Sequence, residues 1–360
     1  MTTAFQRPDG RGRAADSKAV QTTSLPRRRD GVRAPGRTRR PGLLIAVLAV
    51  LASAVTACGS GPSQINSAVI IGDRVVSVDE VQRRLDTALE AEPAARDLAR
   101  NRKLDLVSRG IVNQLVRHEL IAEAARREGL TVSEADVTEL TASSAPPEDP
   151  VLKAVMAGFD GREIARDRLL LQELGRRNLD RLQVQLQAAT VVSQGNARET
   201  ATDLARKLAA QPDRLPELVQ ELGSQEVNVV RVESLNPVNT YGFFVQEQVQ
   251  LTPVFSVGPN TVVSFQFVAG EQAGANAWLV ALVRSRDTRA TLSEQDRALV
   301  AQVPPEWHQA IGTQLIGPLA DELDVRISPR YGVWDELAVG VAPNESEKVG
   351  LVLPVATPKP

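Results

Sequence analysis

This 360-residue sequence predicts an α+β fold that is mainly helical, on three observations. Apolar residues recur at helical spacing from Ser77 to about Asn178, and again from Ser293 to Leu323. Between these stretches, from Val184 to Arg284, the apolar runs are short, rich in β-branched residues and separated by turns. Ala68 to Val76 adds two apolar runs across a Gly72-Asp73 turn, which reads as a strand or small hairpin. The pattern is a helical body made from both chain ends and interrupted by an α+β segment.

Ser77 opens the first helix. With Glu80 it makes a capping-box pattern, Val81, Leu85 and Leu89 share one face, and Pro93 ends the run. A longer helical stripe runs from about Ala95 to Glu128 through Leu104, Val107, Ile111, Leu115, Ala122 and Ala125, with Gly129 as its terminator. Ser133, followed by Glu134 and Asp136, starts a short helix, and residues 142–150 (ASSAPPEDP) form a loop by composition. Leu152 to Phe159 and Arg162 to Asn178 return to helix. In the α+β segment, Val184, Leu186, Ala188, Val191 and Val192 predict a strand and Asn196 to Ala210 a helix. Val227 to Val232, Phe243 to Val245, Thr261 to Val268 and Ala277 to Arg284 predict further extended runs. Ser293 with Glu294 and Asp296 begins another helix, Trp307 to Leu323 forms one more, and Val325 to Ile327 is a last strand. Residues 337–360, with several prolines and few large apolar side chains, are expected to be disordered.

Charge is unevenly distributed. Residues 1–57 hold ten arginines and Lys18 against Asp9, Asp16 and Asp30, so the remaining chain carries a net charge of about −10. Nucleic-acid binding needs a basic footprint over the phosphates, and the basic run lies in a segment expected to be removed, which excludes that class. Arg37, Arg39 and Arg40 precede the apolar run Leu43 to Ala54, which is too short to span a bilayer comfortably but fits the core of a signal peptide. The run meets Val55-Thr56-Ala57-Cys58, which resembles the lipobox of bacterial lipoproteins. That resemblance implies cleavage between Ala57 and Cys58, diacylglyceryl attachment to the Cys58 sulfur and acylation of the new amine, a stable multi-chain anchor. Residues 1–57 are then a signal peptide with a long basic leader, and residues 58–67 the lipidated cysteine and a tether opening with Gly59-Ser60-Gly61-Pro62. Cys58 is the sole cysteine, which leaves no internal disulfide and no cysteine-rich zinc site.

A second resemblance covers most of residues 68–336 and is strongest at its two ends. VIIGDRVVS leading into VDEVQRRL, with QLVRHELIAEAARREGLTVSEADV at 114–137, resembles the N-terminal domain of SurA-type and PrsA-type extracytoplasmic chaperones. Leu115-Val116, Leu120-Ile121, Ala124-Ala125, Gly129-Leu130 and Ser133 carry it in order. VRISPRYGVWD resembles the closing strand of actinobacterial relatives, and the resemblance implies that this C-terminal helix and strand fold back onto the N-terminal domain. The implied chaperone domain comprises residues 68–180 and 288–336, and its implied work is to cradle unfolded or newly exported polypeptides without ATP or cofactor, on the extracytoplasmic face of the cytoplasmic membrane. Residues 181–287 stand where relatives carry a parvulin-type prolyl isomerase, and AATVVSQGNARETATDLARKLAAQPDRLPELVQELGS, TPVFSVGPNTVV and AWLVALVRSRD resemble parts of it. The family's strand histidines and its intervening Cys or Asp are not matched, since the strands read Ala-Ala-Thr-Val-Val and Trp278-Leu279-Val280, and its glycine-rich loop is missing around Asn236 to Phe244. The resemblance therefore implies a degenerate module kept for binding or spacing.

The chemistry-bearing residues are few. His118 and His308 are the two histidines of the chain. His118 lies beside the Ile111, Leu115, Ala122 stripe and His308 follows Trp307 at a helix start, so each reads as a packed or partly exposed helix histidine before it reads as a ligand or base. No HExxH, P-loop or GxGxxG pattern occurs. Trp278, Trp307 and Trp334 read as core before they read as client anchors. No catalytic, cofactor-binding or metal-binding residue is nominated. An active prolyl isomerase and a lipoprotein that serves one envelope partner stand as the alternatives to a general chaperone.

Overall fold

The structure is a computed structural model, and it describes residues 66–193, 195–223, 227–230, 234–267 and 276–356. Cys58, Ala57, the signal reading and the tether as far as residue 65 lie outside the described residues, while Ser67, the last residue of the expected tether, already belongs to the first strand. Ser67–Ile71 (β1) and Arg74–Ser77 (β2) pair antiparallel around Gly72-Asp73. Gly72 takes a φ of 54°, a left-handed conformation that glycine adopts without a Cβ clash. Ser77 Oγ accepts from the Glu80 N–H and starts Val78–Ala91 (α1), which buries Val81, Leu85 and Ala88.

The helical stripe predicted from Ala95 to Glu128 is broken in two. Pro93–Arg100 (α2) ends in a left-handed Arg102 (φ 59°), with Lys103 N–H donating to Leu98 O at 2.8 Å and Arg102 N–H to Ala99 O at 3.0 Å. This is a Schellman-type stop, which no glycine announced. Leu104–Glu128 (α3) follows and ends at Gly129, whose φ of 59° matches the expected cap. It buries Val107, Ile111, Val112, Leu115, Val116, Leu120, Ile121 and Ala124. Glu134–Ser143 (α4) is capped by Ser133, Pro150–Met156 (α5) by Asp149, and Gly161–Asn178 (α6) by Asp160.

The chain then enters an antiparallel sheet. Gln183–Ser193 (β3) is followed by the helices Ala197–Ala210 (α7) and Leu215–Leu222 (α8), then Val227–Val230 (β4) and Ser234–Leu235 (β5). Phe243 to Val245, expected to be extended, instead lie in a helix, Pro237–Glu247 (α9). The reason is the cap: Asn236 Oδ1 accepts from Val238 N–H at 3.0 Å and Asn239 N–H at 2.8 Å, Asn239 Oδ1 accepts from Asn236 N–H at 2.9 Å, and Pro237 fills the first position. A 3₁₀ turn, Thr252–Ser256, leads to Thr261–Gln266 (β6) and Asn276–Asp287 (β7).

Glu294–Leu299 (α10), capped by Ser293, precedes Pro305–Leu315 (α11) and Gly317–Glu322 (α12). The single helix expected from Trp307 to Leu323 therefore breaks at Ile316, because Pro318 has no N–H for a continuing helix and suits a first turn. Arg326–Ile327 (β8) then pairs with β1, Val69 opposite Ile327, so the C-terminal part of the chain joins the first hairpin in a sheet of order β2-β1-β8.

The tail from 337 is ordered through Ala356, which corrects the expectation of disorder. Val333–Asp335 (β9) pairs with Gly340–Ala342 (β10), and Gly350–Pro354 (β11) adds to β6, giving the large sheet the order β11-β6-β7-β3-β4, with β5 also on β3. Asp335, 2% exposed, organises this: Oδ1 accepts from Leu337 N–H and Ala338 N–H at 3.1 Å each, and Oδ2 from Val349 N–H at 2.6 Å. Pro354 sits where a sheet tolerates a proline, on an edge strand.

Buried side chains form three clusters. The first joins β1, β2, α1, α2, α3, α5 and α6 to Ile316, Leu319, Ala320, Tyr331 and Trp334 from the other end of the chain. The second lies on one face of the large sheet and takes in Leu292, Val303, Trp307 and Ile311, so α11 contributes to the sheet's core as well as following the helical body. The third packs α7 and α8 on the opposite face, over Ala189, Val191, Trp278 and Val280. The fold is thus mixed α+β and predominantly helical. All three tryptophans are buried.

Candidate functional site: an apolar groove in the helical body

The helical body carries a groove of about 680 Å³ bounded by α3, α4, the loop after it, α5 and α6. Ile121 of α3, Leu140 of α4, Pro146 and Pro147 of the loop, Leu152 and Met156 of α5 and Ile164 and Leu171 of α6 give it apolar walls. Leu152, on this lining, is 43% exposed. Local sequence explains the walls. Asp149 caps α5 by accepting from Leu152 N–H at 2.7 Å and Pro150 fixes its first turn, so Leu152 and Met156, four residues apart, share a helix face. Val155, on the buried side, sits against Gly110 of α3; a Cβ at Gly110 would lie 2.4 Å from Val155 Cγ2.

The floor is polar. Asp167 of α6 is buried, and both its carboxylate oxygens lie 3.0 Å from Nδ1 of His118 on α3. Gln114 Nε2 donates to Asp167 Oδ2 at 3.5 Å. The hydrogen bond to Asp167 raises the His118 pKa, desolvation opposes it, and the charges of Asp167, Glu163 and Glu119 add to the rise. Glu163 Oε1 stands 3.9 Å from the same nitrogen, and Glu163 Oε2 is 3.5 Å from Arg84 Nη2 of α1. Arg117 Nη2 donates to Thr313 Oγ1 on α11 at 3.1 Å; burial lowers the Arg117 pKa and the nearby Asp167 charge opposes that.

His118 is therefore a partly exposed helix histidine tied to a buried carboxylate that lines the groove. His308, on α11, has different surroundings: Nε2 is closed off from solvent without a hydrogen-bond partner, and desolvation, then Arg176, lowers its pKa. Among the described residues no group of three or more His, Cys, Asp or Glu is placed to hold a metal ion, and no helix is long and apolar enough to cross a membrane. In the large sheet, Val191 of β3 lies opposite Trp278 of β7, and both are buried under α7.

Sequence reasoning missed the groove and Asp167. Asp167 had a signal: with Ile164, Leu171, Leu174 and Asn178 it occupies one helical stripe, and a carboxylate on an apolar stripe asks for a partner across the interface. Leu140 and Leu152 had none, because an apolar residue at helical spacing reads the same whether it packs inward or lines an opening.

The sequence model of the SurA-like N-terminal domain matches residues 39–146, which include α1 to α4 and the α3 and α4 sides of the groove. No curated protein and no solved structure matches the chain. Over residues 39–146, the chain is similar to the SurA-like N-terminal domain.

Proposed function

We propose that the protein is a membrane-anchored chaperone that binds unfolded or newly secreted polypeptides without ATP, and that the groove between α3, α4, α5 and α6 receives them. The observation that carries this reading is an apolar opening, with Leu152 and Met156 on its rim, whose α3 and α4 sides belong to the residues that resemble a SurA-like N-terminal domain. Unfolded chains are recognised by apolar surface not yet buried, and a groove with aliphatic walls and few fixed polar contacts takes many sequences. Cys58 is the proposed lipid attachment site after cleavage behind Ala57, which holds the domain at the outer face of the cytoplasmic membrane. Residues 68–180 with 288–336 form the proposed chaperone body, and 181–287 a parvulin-like module without catalytic residues. Burial of Val191 and Trp278 supports that assignment, since a prolyl isomerase needs accessible polar groups over its sheet.

The test is light scattering of a chemically unfolded substrate protein diluted into buffer with nanodiscs that carry the full chain or are empty. Suppressed aggregation at near-equal molar ratio is expected, and Leu152→Asp should weaken it. Equal scattering with loaded and empty nanodiscs refutes a general chaperone.

A further inference from the structure

The large sheet ends in a strand whose outer edge no described strand covers. β11 stands last in the order β11-β6-β7-β3-β4. Its backbone directions follow from the ladder behind it. Phe267 N–H donates at 3.2 Å to Ala277 O, opposite it in the β6–β7 register, so odd-numbered residues of β6 turn their backbone groups to β7 and even-numbered ones to β11. Leu351 and Leu353, opposite Ser264 and Val262, therefore bond to β6, as the Val355 N–H does to Asn260 O at 3.0 Å. The backbone groups of Gly350, Val352 and Pro354 point outward. Sheet edges are usually blunted by charge or by proline. From Val349 to Ala356 the chain carries no charge, and Pro354 lacks only the donor, its C=O remaining available.

The sequence of the edge is complementary to itself. Val349, Leu351, Leu353 and Val355 alternate onto one side of the sheet, where Leu351, Leu353 and Val355 pack against the cluster under α7, and this row reads the same in both directions about Val352. Val349 is 46% exposed at one end of it. An antiparallel second copy turned about Val352 sets Leu351 beside the partner's Leu353, Val349 beside the partner's Val355, and the two Val352 residues beside each other. The backbone agrees: the two Val352 residues exchange N–H···O bonds, and each Gly350 N–H meets the C=O of the partner's Pro354. The charges at the two ends agree as well. Glu345, Glu347 and Lys348 precede the strand with a net negative charge and Lys359 follows it in sequence, and antiparallel pairing brings the end of one copy to the start of the other.

We propose that the outer edge of β11 is an interface between two copies of this chain, paired antiparallel about Val352 so that their large sheets join into one. A two-fold pair uses the same patch twice and leaves neither copy of the edge open. The strand is already ordered for it: Asp335 Oδ2 accepts from Val349 N–H at 2.6 Å, Arg198 of α7 donates to Ser346 O and Lys348 O at 3.0 Å each, and Ala356 N–H donates to Ala209 O at 2.9 Å. The proposal is independent of the groove and its occupant.

The contact is small, so a dissociation constant on the order of micromolar is expected. The test is sedimentation equilibrium of the full chain in density-matched detergent over a concentration series. Val352→Pro removes an N–H that points away from β6, keeps the ladder to β6, and should weaken dimerisation at least about tenfold. Disulfide trapping in a Cys58→Ser background, where each variant carries a single thiol, separates this contact from association through other surfaces. Val352→Cys should cross-link to itself, because opposed Cα atoms in a bonded pair lie about 5.5 Å apart, within disulfide reach. Val349→Cys and Val355→Cys should each stay uncross-linked alone, since like positions are about 20 Å apart along the paired strands, and should cross-link to each other when mixed. A monomer at every concentration overturns the proposal, and so does a dimer that Val352→Pro leaves intact or that lacks this trapping pattern. A monomer that instead takes up a labelled peptide of residues 349–355 overturns it too, and gives the edge to strands of other chains.

Discussion

Helix α6 is gripped by two neighbours in opposite ways. On its α11 side the backbones touch. A Cβ at Gly175 would fall 1.8 Å from His308 O, and one at Gly312 would fall 2.0 Å from Leu171 O, so both glycines are required for the approach. On its α4 side the contact is held by exposed charge: Glu134 receives Arg162 and Arg166 at 2.6 Å each, and Arg162 also donates to Thr138 Oγ1 at 2.9 Å. Val137 is the buried side chain of α4, and none of the three core clusters includes it. One flank of the groove floor is therefore fixed by packing that cannot yield, and the wall across from it is fastened by contacts that open at small cost. For a site that must admit many different segments, a fixed floor and a compliant wall is the useful division.

Breaking the tight flank should have the largest effect. Gly312→Val puts a branched side chain into the Leu171 carbonyl, and because the obstacle is backbone on both sides the helices must separate. A loss of about 3 kcal/mol or more is expected, at the upper end of what overpacking costs, read by urea denaturation. A variant that unfolds within about 1 kcal/mol of wild type would show that the crossing is adjustable and remove the contrast. Val137→Ala attacks the compliant flank. It should cost about 1–2 kcal/mol as a buried truncation, yet hydrogen exchange should rise in α4 before it rises in α3 or α6.

How legible the molecule was from its sequence follows the same division between local and remote causes. Ser77, Ser133 and Gly129 fix helix ends through bonds three to five residues away, and each was readable as written. The Asn236 cap is equally local, but the β-propensity of Phe243 to Val245 drew attention away from it. The strand β11 was not readable, because the edge that makes GLVLP a strand belongs to β6, far back in the chain, and the carboxylate that steers it there is Asp335. The groove was unreadable for a related reason. Periodicity places Leu152 and Met156 on one face of α5 but does not say whether that face meets another helix or an opening.

The tie between floor and wall is intermediate in strength. His118 and Asp167 join α3 to α6 beneath the groove, with Glu163 of α6, Glu119 and Arg117 of α3, and Arg84 of α1 around them. Because the folded protein raises the His118 pKa, the protonated pair stabilises the fold fully below the unfolded value of about 6.5 and is lost as pH rises through the folded value. The side chain is 35% exposed and screened accordingly, so the gain is about 0.5–1 kcal/mol. The stability difference between wild type and His118→Gln, measured by urea denaturation from pH 5 to pH 8.5, should be greatest at the acid end and shrink towards the alkaline end. A difference that grows with pH would mean that the neutral imidazole is the favoured partner of Asp167.

Glu134→Gln is the mildest break and the most specific to the comparison. The carboxylate is fully exposed, its pKa held below the usual range by hydrogen bonds from Arg166 and then Arg162. The amide keeps one acceptor oxygen but loses the charge that draws two guanidinium groups to one residue. Global unfolding should be unchanged within error, since exposed ion pairs contribute little to it. The change should appear locally, as faster exchange of α4 amides and as a salt dependence of that exchange that the wild type has and the variant lacks, because screening by salt removes in the wild type what the substitution has already removed. If wild type and variant exchange alike at low salt, the ions on that flank are decoration, and Val137 alone holds the wall.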